Sequence, residues 1–80
     1  MNSEWMNPRS IEDLAHGVLE LGRDEMELTE YLDHVAGSQR LPLSVRAQAT
    51  EWSESLYAGE DNYSGYTDVR THAKQILGRS

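Results

Sequence analysis

Residues 45–56 read Val-Arg-Ala-Gln-Ala-Thr-Glu-Trp-Ser-Glu-Ser-Leu, and this stretch has a single apolar stripe at helical spacing. The stripe consists of Val45, Ala49, Trp52 and Leu56. Residues spaced in this way lie on one face of an α-helix. Pro42 stands just upstream, and proline is tolerated at the first helical position, where its missing N–H has no intrahelical partner. The stretch therefore predicts an amphipathic helix that starts at Pro42 and buries Trp52.

Two more helices are predicted upstream of this one. Ser10 is followed three residues later by Asp13, and Asp24 by Glu27, and both pairs resemble the capping box that opens a helix. Gly22 lies between the two segments and offers a stop before the second start, so we predict two helices rather than one bent helix. Their apolar residues are Ile11, Leu14, Ala15, Val18, Leu19 and Leu21 in the first, and Leu28, Tyr31, Leu32 and Val35 in the second.

The remaining breaks fall in segments that contain glycine. Gly37 is a predicted left-handed C-cap of the second helix, and residues 37–42 form a predicted loop. Residues 59–66 read Gly-Glu-Asp-Asn-Tyr-Ser-Gly-Tyr, a run of turn formers that predicts a second loop. Thr67 would then cap a fourth helix that ends at Gly78. The predicted buried face of that helix is Val69, Ala73, Ile76 and Leu77.

These four segments indicate an all-α fold, a small compact bundle of about four short helices. The 80 residues allow a single domain, 1–80, in which residues 1–7 and 79–80 are expected to be flexible. Gly17 lies inside the first predicted helix and could mark a close approach of another helix. The apolar core is thin and has no Phe, so a partner, or a second copy in a homodimer, could complete it.

Composition and motif content argue against several classes of function. The chain has no cysteine and no histidine pair at zinc-site spacing, so we expect no metal and no cofactor. It has no apolar run long enough to span a membrane and no segment resembling a signal peptide, which favours a cytoplasmic location. It has no nucleophile elbow and no phosphate-binding loop, and little interior from which to build a dry pocket. We therefore expect no catalytic residues and no enzyme activity.

The excess of negative charge is confined to the first part of the chain. The formal net charge is −7, and residues 1–36 contain nine acids but only two bases, whereas residues 37–80 contain five of each. One interpretation is a solvated face that keeps a small protein soluble. The other is an acidic docking face for a basic partner. The candidate residues of that face are Glu20, Asp24, Glu25, Glu27, Glu30 and Asp33.

Aromatic residues supply candidate contact points. Tyr57, Tyr63 and Tyr66 lie within ten residues among Gly, Ser, Asn and Asp. Tyrosine beside small polar residues is typical of adaptable recognition surfaces. The alternative is that one or two of these tyrosines close the end of the bundle. Trp5 precedes the first helix, and it either folds back over the bundle or acts as an interface anchor.

The sequence is best interpreted as a small acidic, non-enzymatic protein that binds and modulates or inhibits a protein partner. The expected partner has a basic surface, and the class includes accessory proteins of phages and mobile elements and antitoxin-like or immunity-like inhibitors. Such a protein could occlude a basic or nucleic-acid-binding site on its target by steric blocking steered by charge. The net charge argues against direct nucleic-acid binding.

Two alternatives remain open. The first is a helix-turn-helix DNA-binding regulator, in which Arg40 and Arg46 would lie at the start of the recognition helix. The second is a carrier-protein-like domain, because size and acidity resemble those of acyl carrier proteins. That family carries its prosthetic group on the serine of an Asp-Ser-Leu motif at the start of its second helix. The nearest string here, Glu54-Ser55-Leu56, has a different first residue and falls at the end of the third predicted helix.

Overall fold

The computed structural model describes residues 7–58 and 62–78, which form four α-helices. They are α1 (Ile11–Leu21), α2 (Glu25–Ala36), α3 (Leu43–Ala58) and α4 (Asn62–Gly78). The described part of the chain contains no strand. The all-α fold predicted from the periodicity of the sequence is therefore confirmed.

Side-chain caps explain why α1 and α2 are separate helices. The Ser10 hydroxyl accepts a hydrogen bond from the Asp13 N–H at 3.1 Å, and the Asp24 carboxylate accepts one from the Glu27 N–H at 2.8 Å. Each bond satisfies an amide at a helix start that has no intrahelical acceptor. Gly22 ends α1, where its N–H donates to the Val18 carbonyl oxygen. The predicted break at Gly22 is confirmed.

The conformation predicted for Gly37 is wrong. Gly37 follows the end of α2 with φ −87° and ψ −3°, which is right-handed helical backbone rather than the left-handed C-cap expected from glycine at this position. Its N–H still donates to the Asp33 carbonyl oxygen, so the last turn of α2 closes by continuing the helical hydrogen-bond pattern. Any residue adopts this backbone, so glycine is not required here.

The predicted loop at residues 59–66 is also wrong over the part that the structure describes. Helix α4 begins at Asn62, five residues before the predicted cap at Thr67, and residues 62–66 are helical. Residues 59–61 lie outside the described residues. Turn propensity was outweighed here because the first turns of α4 pack on the bundle, where Gly65 is buried and Tyr66 contacts the core.

Each helix contributes to one apolar core. The most extensive contacts are those of α2 with α3, of α1 with α4 and of α3 with α4. Trp52 is 2% exposed, as the stripe of the third helix predicted, whereas Ile76 and Leu77, predicted to be buried, are only half-buried. The buried apolar residues are Leu14, Ala15, Val18, Leu28, Tyr31, Leu32, Val35, Leu41, Val45, Ala49, Trp52, Leu56, Val69 and Ala73.

Two glycines allow helices to approach each other closely. A Cβ atom at Gly17 of α1 would overlap the Tyr31 hydroxyl of α2, which confirms the close approach expected there. A Cβ atom at Gly65 of α4 would lie 2.6 Å from the Ser55 carbonyl oxygen and 3.1 Å from the Leu56 Cα of α3. Gly65 therefore acts as a helix-contact residue, a role that its turn-like sequence context did not indicate.

None of the helices formed by residues 7–58 and 62–78 combines the length and the apolar content that a membrane-spanning helix needs.

Candidate protein-binding surface

Most of the predicted acidic residues lie on α2. Asp24 caps the helix, Glu25 is half-buried, and Glu27, Glu30 and Asp33 are exposed. The segment from residue 24 to residue 36 contains no Lys or Arg, so α2 has no positive side chain of its own to balance these carboxylates. The sixth predicted residue, Glu20, is exposed on α1.

The structure brings Asp33 and Tyr57 together at the contact between α2 and α3. The Tyr57 hydroxyl donates to one Asp33 carboxylate oxygen at 3.0 Å, and the Ser53 hydroxyl donates to the other at 2.9 Å. The pKa of Tyr57 is raised above its ordinary value, first by this hydrogen bond to Asp33, then by local burial and by the charge of the same carboxylate. Asp33 therefore connects the two helices and also fixes the Tyr57 ring beside α2.

Tyr66 has a structural role at the opposite end of α2. Its hydroxyl oxygen lies 2.9 Å from the Arg23 carbonyl oxygen and 3.1 Å from that of Gly22. Arg70, one turn further along α4, donates to the Gly22 carbonyl oxygen at 2.9 Å and lies over the Tyr66 ring, 5.5 Å from its centroid. These contacts fasten the α1–α2 turn to α4. They correspond to the alternative in which a tyrosine closes the end of the bundle.

Two predicted contact residues cannot be placed. Trp5 lies outside the described residues, and so does the side chain of Tyr63, whose backbone belongs to the first turn of α4. Both remain predictions.

Met26 was not among the predicted contact residues. It is 72% exposed and, with Leu43 and Tyr57, is one of three large apolar side chains with high exposure in the part of the chain that the structure describes. Met26, Glu30 and Asp33 lie at i, i+4 and i+7 on the face of α2 that points away from the core. The signal was available, because Met26 is the one large apolar residue of α2 outside its buried stripe of Leu28, Tyr31, Leu32 and Val35.

Two shallow depressions in the surface share Glu25 and Met26 in their linings. The first, here called the α2–α3 groove, measures about 310 Å³ and is lined by Glu25, Met26, Thr29, Glu30 and Tyr57. The second lies at the start of α2, measures about 540 Å³ and is lined by Arg23, Asp24, Glu25, Met26 and Tyr66. Met26 therefore lies together with carboxylates of α2 and with Tyr57 of α3, and we call the face formed by Glu25, Met26, Glu30, Asp33 and Tyr57 the α2 surface.

The histidines do not assemble into a metal site. No group of three or more His, Asp or Glu side chains within residues 7–58 and 62–78 could hold a metal ion. The Nδ1 atom of His72 accepts a hydrogen bond from Trp52 Nε1 at 2.9 Å, and the two rings meet edge to face with centroids 5.4 Å apart. His72 thus supports the α3–α4 contact.

Arg46 and Ser55, which belong to the two alternative functions, have local structural partners. Arg46, half-buried, donates from Nε to the Leu41 carbonyl oxygen at 3.1 Å, so it braces the loop before α3. Arg40 is exposed at the end of that loop, in a depression it shares with Arg9. Ser55 lies in the last turn of α3, and its hydroxyl donates to the Glu51 carbonyl oxygen at 3.2 Å.

No protein-family model, no curated protein and no solved structure matches the chain.

Proposed function

We propose that this protein acts without catalysis, by binding a protein partner through the α2 surface, and that the partner presents a basic face. One observation carries the proposal: α2, which together with its cap Asp24 has five carboxylates and no Lys or Arg, also carries Met26, 72% exposed, and the 64% exposed Tyr57 of α3 lines the same groove. A solubility coat accounts for the carboxylates, but it requires no exposed methionine among them. Scattered exposed apolar residues are common, whereas apolar residues that line one groove inside a charged rim are typical of interfaces.

Charge and apolar contact would contribute differently to binding. Exposed carboxylates on α2 attract a basic partner over about a Debye length, roughly 8 Å at physiological ionic strength, and so raise the rate of association. Burial of Met26 and Tyr57 in the complex stabilises the bound state and lowers the rate of dissociation. Occupancy of a basic site by this protein would block that site sterically, which is the action of an inhibitor or accessory protein.

The test is quantitative enrichment of partners from an extract of the source cells, with the immobilised protein and two matched pairs of variants. Met26→Asp places a charge on the α2 surface, and Leu43→Asp places the same charge at a residue that is 71% exposed on α3. Glu30→Lys reverses a charge on α2, and Glu12→Lys reverses one on the exposed side of α1.

We expect a basic protein that is retained by the wild type, Leu43→Asp and Glu12→Lys but is lost with Met26→Asp and Glu30→Lys. Retention of the same proteins by all five forms would contradict the proposal, because the α2 surface would then play no part in binding.

A further inference from the structure

We infer that the α2–α3 groove receives a cationic amphipathic helix of the partner, with apolar side chains on one face of that helix packed against Met26 and Tyr57. This inference rests on the proposed function and specifies what kind of element the partner inserts. It follows from the hydrogen-bonding character of the groove, from its charge and from the secondary structure around it.

The polar side chains of the groove have no hydrogen-bond donor left to offer. The Thr29 hydroxyl already donates to the Glu25 carbonyl oxygen at 2.8 Å, and the Tyr57 hydroxyl already donates to Asp33 at 3.0 Å. The other two polar lining residues, Glu25 and Glu30, are acceptors when ionised. A ligand that fits this groove must therefore bring donors, preferably charged ones, and must not bring unsatisfied carbonyl oxygens.

An α-helix meets both requirements. Its backbone N–H and C=O groups are hydrogen-bonded within the helix, so its carbonyl groups need no donors from the groove. Lys or Arg side chains on its flanks can donate to Glu25 and Glu30. An extended segment usually gains affinity by pairing with the edge of a β-sheet, and residues 7–58 and 62–78 contain no strand that could supply such an edge.

The length of α2 suits a second helix packed alongside it. Its 12 residues extend about 18 Å at a rise of about 1.5 Å per residue, which matches three turns of a helix laid alongside it. Met26 stands near the start of this length, and Tyr57 is held beside Asp33 towards its other end. Two apolar contacts separated along the axis suit a ligand helix with anchors at i and i+4 or i+7.

The inference can be tested with designed peptides in place of the natural partner. The probe is a Leu/Lys/Ala peptide as long as α2 with its leucines on one helical face, and the comparison peptide has the same composition in scrambled order. Binding is followed by fluorescence polarisation and by amide shifts of the isotope-labelled protein. We expect the scrambled peptide to bind at least about tenfold more weakly, since it cannot present its leucines together. We also expect the largest shifts at Met26, Glu30 and Tyr57.

The peptide affinity of the Met26→Asp variant distinguishes binding in the α2–α3 groove from general charge attraction. A peptide held only by its charge would bind more tightly to Met26→Asp, which adds a negative charge, and equally more tightly to Leu43→Asp. A peptide seated on Met26 loses an apolar contact, and we expect Met26→Asp to weaken binding about tenfold while Leu43→Asp does not weaken it. Equal binding of the two peptides, or tighter binding by Met26→Asp, would overturn the inference.

A basic polyproline peptide that binds more tightly than the helical one would also overturn it, in favour of an extended occupant. These failures are distinguishable from failure of the proposed function. If the peptides fail but the natural partner is still lost with Met26→Asp and Glu30→Lys, the surface is correct and only the helical occupant is wrong.

Discussion

At the scale of single residues, Gly17 and Gly37 differ in whether the fold leaves room for a side chain. A Cβ atom at Gly17 would overlap the Tyr31 hydroxyl, and Tyr31 is only 5% exposed and has little room to move. A Cβ atom at Gly37 would meet the Asp33 carbonyl oxygen at 3.4 Å, an ordinary contact, on backbone that any residue adopts. The contact that a glycine makes, rather than its presence near a helix end, determines the cost of its replacement.

We therefore predict that Gly17→Ala destabilises the protein by about 1–3 kcal/mol, because the cost of moving Tyr31 away from the new methyl group exceeds the gain from the better helix propensity of alanine. Gly37→Ala should be neutral or stabilise by up to about 1 kcal/mol, since alanine restricts the unfolded chain without strain in the folded one. Urea denaturation of both variants measures these differences. A larger loss for Gly37→Ala than for Gly17→Ala would contradict the backbone geometry described above.

Ionisation of Tyr31 lowers the stability of the folded protein at alkaline pH. Burial raises the pKa of Tyr31 above its ordinary value of about 10, and the nearby Asp13 carboxylate raises it further. The folded protein thus holds the tyrosine proton more tightly than the unfolded chain does. This contribution to stability is fully present below pH about 10 and is lost as pH rises above that value.

We predict that the free energy of unfolding falls above pH about 10, with a slope from this group of at most about 1.4 kcal/mol per pH unit. Tyr31→Phe should flatten that slope, whatever its effect at neutral pH. Tyr57→Phe is the comparison: the pKa of Tyr57 is raised as well, but its side chain is 64% exposed, so we expect its removal to change the slope less than Tyr31→Phe does. An alkaline slope that Tyr31→Phe leaves unchanged would show that other groups are responsible.

At the scale of helices, the α3–α4 contact depends on Gly65. The atoms facing it belong to the α3 backbone, so a new Cβ atom can be accommodated only by moving one helix relative to the other. We predict that Gly65→Ala costs about 2–3 kcal/mol or more, and at least as much as Gly17→Ala, where a side chain is the obstacle. Gly78→Ala is the control, because its Cβ atom would meet nothing within 4 Å. Equal stability of the two variants would contradict this packing.

Helices α1, α2 and α3 could be predicted from sequence because their signals are local. Ser10 and Asp24 accept from amides three residues away, and the apolar stripes face the core whatever lies across it. The start of α4 could not be predicted, since residues 62–66 resemble a turn and their helical state depends on contacts distant in sequence. Tyr66, for example, reaches Gly22 and Arg23 at the α1–α2 turn.

The candidate surface was predictable only in part, for the same reason. The charge of α2 is visible in the sequence, and so is the apolar Met26 on its polar face. Tyr57, and not Tyr66, flanks the α2–α3 groove. This position depends on the α2–α3 contact, in which Asp33 fixes the Tyr57 hydroxyl. Tyr66 looked equivalent in sequence, but its hydroxyl is engaged with the α1–α2 turn.

At the scale of the whole molecule, the charge distribution argues against DNA as the partner. The excess of acids in residues 1–36 repels phosphate, and Arg46, one of the two arginines of the helix-turn-helix alternative, donates to the Leu41 carbonyl oxygen. We predict no sequence-specific affinity for a library of duplex DNA at physiological salt. Specific gel shifts that disappear with Arg40→Ala and Arg46→Ala would instead support the DNA-binding alternative.

If the charge of α2 guides a basic partner onto this protein, the rate of association with the isolated partner must depend on that charge. Stopped-flow measurements at increasing salt would compare the wild type with the double variant Glu27→Lys and Glu30→Lys. We predict that wild-type association slows as salt rises, and that the double variant associates more slowly at low salt with little change in dissociation or in folding. An association rate unaffected by salt and by both substitutions would contradict this role of the charge and leave the carboxylates of α2 as a solubility coat.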